Sequence, residues 1–95
     1  MMPLSLTSIV HRRQDILSSN IDEETILLSI AKSKYFGIDP IGTTIWNLLD
    51  TPMSIGQIIT DLERQYNVSR RQCQEDVLMF LEHLLTEDLL TVTDD

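Results

Sequence analysis

SRRQCQEDVLMFLEHLLTE, residues 69–87, is the longest uninterrupted helical pattern in the chain. Its apolar residues Cys73, Val77, Phe80, Leu81, Leu84 and Leu85 recur at the spacing that builds one buried face on a helix. Ser69 opens it: its hydroxyl can accept from the amide of Gln72 while the Gln72 side chain reaches back, a capping-box pattern. A rotation of about 100° per residue sets Asp76, Met79, His83 and Glu87 in a strip beside Phe80, just outside the buried face. A helix with a packed side and such a polar-apolar margin can form one wall of a groove.

Two further helical patterns precede it. Residues 54–65 repeat the capping-box signature at Ser54 and Gln57, carry Ile55, Ile58, Ile59 and Leu62 on one stripe, and pass through Tyr66-Asn67-Val68 into the long helix. Asp39-Pro40 opens the other, over about residues 40–49, because Asp is a favourable cap and Pro suits the first helical position. Ile41, Ile45, Leu48 and Leu49 form its expected buried side, with Trp46 at a flank, and Asp50-Thr51-Pro52 stops it.

The N-terminal third reads as strands. Residues 8–16 mix β-branched with charged residues, and residues 19–23 carry turn chemistry. Residues 25–30 alternate, with Ile26, Leu28 and Ile30 on one face and Leu27 and Ser29 on the other. Residues 34–38 place Phe36 and Ile38 on one face and Tyr35 and Gly37 on the opposite one. Short links make an antiparallel meander the simplest pairing, with one outer strand left as an open edge. The expected fold is therefore α+β: a three-stranded antiparallel sheet followed by three helices, winged and helix-turn-helix-like, forming a single domain over residues 1–95. Residues 89–92 fit either a short strand or a tail across the helices, and residues 93–95 are expected to fray.

Composition narrows the function. The net charge is −8, and residues 40–95 hold three basic against ten acidic groups, where residues 1–39 hold four against five. A phosphate backbone is repelled by the second half. A lone cysteine forms no internal disulfide, which fits a reducing cytoplasm, and neither a signal peptide nor a membrane span is legible.

Chemistry-bearing patterns are sparse. Cys73 sits in a buried stripe, where a thiol acts as a small hydrophobe. His11 and His83 have no partner at metal-ligand spacing, so no metal and no cofactor are expected. The acid pairs Glu23-Glu24, Glu75-Asp76 and Glu87-Asp88 point in different directions, and Gly37, Gly42 and Gly56 form no phosphate loop. Catalysis has almost no residues to draw on. A DNA-binding reading has the helix-turn-helix and Arg70-Arg71 in its favour, but Glu75, Asp76, Glu82, Glu87 and Asp88 follow on the same helix.

An open strand edge beside a helix margin suits peptide capture by strand addition, where main-chain hydrogen bonds give affinity and side-chain pockets give selectivity. Lys34, Phe36 and Ile38 would form the sheet-side wall, and Asp76, Met79, Phe80 and His83 the helix-side wall. The alternative is that Phe36, Ile38 and Phe80 are simply core. A DNA-binding regulator and a structural subunit of a larger complex also stay open.

Tyr35-Phe36, Gly42, Ile45-Trp46, Leu48-Leu49, Cys73, Asp76-Val77 and Phe80-Leu81 form a spaced set that resembles the PqqD-like family of RiPP recognition elements, over about residues 26–90. The resemblance implies a small winged-helix-like domain that binds the leader of a ribosomally made precursor peptide and does no chemistry itself. It implies a leader paired as an extra strand beside Lys34, Tyr35, Phe36, Gly37 and Ile38, lying against the helix from Asp76 to Glu87. It also implies delivery to a separate enzyme. A free-standing domain of this length is similar to the leader-binding partner of lasso-peptide systems, which works with a leader peptidase. It is similar too to the pyrroloquinoline quinone protein that serves a radical SAM enzyme.

Overall fold

The strands do not form one meander. In the computed structural model, which describes residues 4–93, three helices and two three-stranded antiparallel sheets share one core. The elements run β1 (Ile9–Arg12), β2 (Ile16–Ile21), β3 (Glu24–Ser29), β4 (Lys34–Ile38), α1 (Pro40–Leu48), β5 (Met53–Ser54), α2 (Ile55–Gln65), α3 (Arg70–Thr86) and β6 (Leu90–Thr93). One sheet has the order β5-β1-β6 and the other β2-β3-β4.

This corrects the expected order of three strands followed by three helices, because β5 lies between α1 and α2 and β6 follows α3. The single strand expected over residues 8–16 is split. Beyond Arg12 the chain leaves the first sheet: the Arg13 amide donates to Leu89 O (3.2 Å) and the Arg13 guanidinium pairs with Asp15 (3.1 Å). The turn expected over residues 19–23 shrinks to Asp22 and Glu23, with Asp22 at φ 57°, a conformation Asp tolerates. Asn20 instead uses its side chain across the ladder, accepting from Thr25 Oγ1 at 2.9 Å. Residues 90–93 resolve the open choice at the C-terminal end: they pair with β1 from Ile9↔Thr93 to Arg12↔Leu90. Thr93 is thus in a strand, and Asp94 and Asp95 lie outside the described residues.

All three helix starts carry the caps read from the sequence. Asp39 Oδ1 accepts from the Gly42 amide (2.7 Å), Ser54 Oγ from Gln57 (3.2 Å) and Ser69 Oγ from Gln72 (3.2 Å). The reciprocal half of each capping box is replaced, since Gln57 Nε2 donates forward to Asp61 (2.8 Å) and Gln72 Nε2 to Asp76 (3.0 Å). The core takes the Thr25, Leu27 and Ser29 face of β3, leaving Ile26 and Leu28 half-buried outside. Trp46, expected at a flank, is buried, while Ile41 is exposed and Leu48 only half-buried. Arg12 joins the first sheet to α1, stacking 4.8 Å from the Trp46 ring centroid and donating through Nε to Trp46 O at 2.9 Å.

Candidate functional site

β4 and α3 run side by side in opposite directions, held at both ends. At the start of β4, Lys34 Nζ lies 3.7 Å from Glu87 Oε1 near the end of α3, and in the preceding loop Lys32 Nζ lies 3.1 Å from Asp88. At the other end, Ile38 and Phe80 close on Gly42, whose missing Cβ would clash with Ile38 Cγ2 and lie 3.0 Å from the Phe80 ring. A side chain at this position would force Ile38 or Phe80 to shift. About 13 Å of strand therefore faces about 10 Å of helix between Phe80 and Glu87. β4 is the end strand of its sheet, and among the described residues no strand pairs with its outer edge.

Along this seam the predicted residues divide. The register Lys34↔Ser29, Phe36↔Leu27 and Ile38↔Thr25 puts Lys34, Phe36 and Ile38 on the core-facing side of the sheet, toward the helices. Lys34 Nζ lies 5.7 Å from the Phe36 ring centroid, so the cation sits over an aromatic face. Ile38 is core, whereas Phe36 and Phe80 are half-buried at its rim. On α3, Asp76, Met79 and His83 are exposed and Glu87 is half-buried, and their spacing keeps them in the strip beside Phe80. Met79 is 72% exposed, so its side chain is free to meet a bound segment. Tyr35 and Gly37 lie on the strand edge but project from the opposite face of the sheet, paired with Leu28 and Ile26, away from the helix strip.

A feature that sequence reading missed adjoins the Phe80 end. A mostly apolar cavity of about 210 Å³ lies between α1, the end of α2 and α3. Gly42, Ile45, Tyr66, Cys73, Val77 and Phe80 line it, with Asp39 and Asp76 among its acidic neighbours. Ile41 and Val68, both exposed, also border it. The sequence carries no signal for it: Ile41 stands at i, i+4 and i+8 spacing with Ile45 and Leu49, so a helix stripe read alone assigns it to the core.

The remaining chemistry is structural. Burial, with smaller contributions from Glu63 and Asp76, pushes the Cys73 thiol up from its usual range, and its Sγ donates to Ile59 O at 3.8 Å. A thiol held protonated is a poor nucleophile. Arg70 is paired with Glu63 and Arg71 with Glu75 (3.5 Å), so both cations that favoured a DNA-binding helix already face carboxylates. Among the described residues no group of His, Cys, Asp or Glu is placed to hold a metal ion, and no helix is long and apolar enough to cross a membrane.

Comparison with known proteins gives the family. The family of coenzyme PQQ synthesis protein D (PqqD) matches residues 24–90. A solved structure of TbiB1 in complex with the TbiA(beta) leader peptide superposes with a TM-score of 0.82 at 30% identity, covering 90% of this chain and 99% of that one. No curated protein sequence matches the chain. With most of its length matched, from β3 through α3, this chain belongs to the PqqD family and is a PqqD-like RiPP recognition element.

Proposed function

We propose that this protein binds the leader segment of a ribosomally synthesised precursor peptide as an added strand on β4, against the Asp76–Glu87 strip of α3, and delivers it to a separate processing enzyme. The observation that carries this reading is the alignment of an unpaired strand edge with an exposed helix margin, pinned by Lys34–Glu87 and by the Ile38, Gly42 and Phe80 contact. Strand addition satisfies the outward amides and carbonyls of β4, while alternate leader side chains meet Phe36, Phe80 and Met79. The TbiB1 structure, which holds a leader peptide, supports the same class of ligand.

The protein acts by tethering and performs no bond chemistry. A held leader raises the local concentration of the attached core peptide at the enzyme, by the arithmetic of any two-site tether. The enzyme we assign is the leader peptidase of a lasso-peptide system; a radical SAM enzyme is the alternative. Fluorescence polarisation with the labelled leader of the precursor encoded beside this gene tests the binding step. Saturable binding is expected, and no binding would refute it. Faster precursor cleavage by the neighbouring peptidase on adding this protein tests the delivery step, and an unchanged rate excludes that partner.

A further inference from the structure

Gly37 stands in the middle of the open edge without a backbone reason to be glycine. Among the described residues no glycine has a positive φ, and a Cβ at Gly37 would meet nothing closer than Ile26 Cδ1 at 4.0 Å. Glycine weakens a strand, so what it provides here is space. The cross-strand row Ser19–Ile26–Gly37 lies on the outer face, and over it a shallow depression of about 200 Å³ is lined by Gly37, Ile26, Glu24 and Asp39. Its floor is apolar and one side is acidic. Glu24 is exposed and forms no ion pair among the described residues, Asp39 is exposed at the end of β4, and Asp22 and Glu23 follow at the hairpin tip.

A residue directly opposite Gly37 on an added strand projects from this same face, because cross-strand partners share a side of the sheet. With no Cβ in the way, its side chain leans across the glycine onto Ile26, as large side chains cover edge glycines in other sheets. A carboxylate there meets like charge, and a short side chain leaves Ile26 uncovered. A long cationic side chain satisfies both surfaces, its methylene stem on Ile26 and its charged end toward Glu24 and Asp39.

Resting on the strand-addition reading, we propose that the leader residue paired with Gly37 is an arginine or lysine, and that Gly37 and Glu24 select it. The test titrates labelled synthetic leader peptides from the neighbouring precursor, with each Arg or Lys replaced in turn by Ala and by Glu. They are titrated against the wild-type protein and against Glu24→Lys, Glu24→Gln and Gly37→Val, each confirmed folded by circular dichroism. At one leader position, the Glu peptide binds wild type about tenfold more weakly and Glu24→Lys recovers most of that loss. Gly37→Val, which fills the depression, removes the difference between the native and Ala peptides at the same position. A leader that binds normally with no position rescued by Glu24→Lys, or that binds tightly with no basic residue, overturns the selection and leaves strand addition standing. A leader that fails to bind the wild type sinks the underlying reading, and this proposal with it.

Discussion

Gly42 shows how one missing methyl group places both walls of the site. An added Cβ would clash with Ile38 Cγ2 and lie 3.0 Å from the Phe80 ring, so Gly42→Ala forces one or both of these side chains to shift. Overpacking of this kind costs about 1–3 kcal/mol, and a lower urea midpoint at unchanged slope is the expected result. Phe80 lies at the contact and at the cavity rim, so Phe80→Asp is expected to weaken leader binding by about 2 kcal/mol or more while the far end of the fold survives. Unchanged polarisation titrations in a folded variant would remove the helix wall. Cys73 is a residue-scale test of burial. Its folded thiol titrates above the usual value of about 9, so the unfolded chain loses that proton first as pH rises. The contribution of the buried thiol is complete below about pH 9 and declines above it. Native protein should therefore resist a thiol reagent at neutral pH and react once urea is added.

At the scale of elements, β4 carries two duties on alternate residues. Consecutive strand amides point to opposite edges, so of Tyr35 and Phe36 one donates inward to β3 and the other outward. Proline at the inward position should lower thermal stability, and at the outward position should abolish leader binding in a folded protein. Circular dichroism and polarisation read together separate the two. For α3, Ser69→Ala removes the acceptor of the Gln72 amide and is expected to cost about 1 kcal/mol in stability with little effect on the site, which begins two turns further on. The Lys34–Glu87 pair is half exposed on the lysine side and contributes at most about 1 kcal/mol; its role is registration of the strand against the helix.

The whole molecule is an acidic body whose two sheets share one core, so its net charge disfavours nucleic-acid binding. Retention of duplex DNA at about 0.15 M salt is not expected, and a gel-shift titration checks it. How much of this was legible in the chain follows from the range of the interactions. Helix starts at Asp39, Ser54 and Ser69, the phase of α3 and the alternation of β4 are local facts, set by caps and by side-chain period, and they stand in the structure as the residues predict. The PqqD-like pattern rests on the same short-range spacing. Pairing was legible only in part: residues 25–30 and 34–38 pair antiparallel as expected, as β3 with β4. The first strand, expected over residues 8–16, reads as the neighbour of residues 25–30, yet β1 bonds to β6 near the other end of the chain. The alternation of residues 25–30 leaves open which face is buried, and it is Thr25, Leu27 and Ser29 that face inward. Local sequence therefore determined the helices, the edge strand and the acidic surface. Only tertiary structure decided which strand meets which, which face of β3 is buried and that Ile38, Gly42 and Phe80 converge, because those outcomes depend on side chains and ladder bonds contributed by segments far apart in the chain.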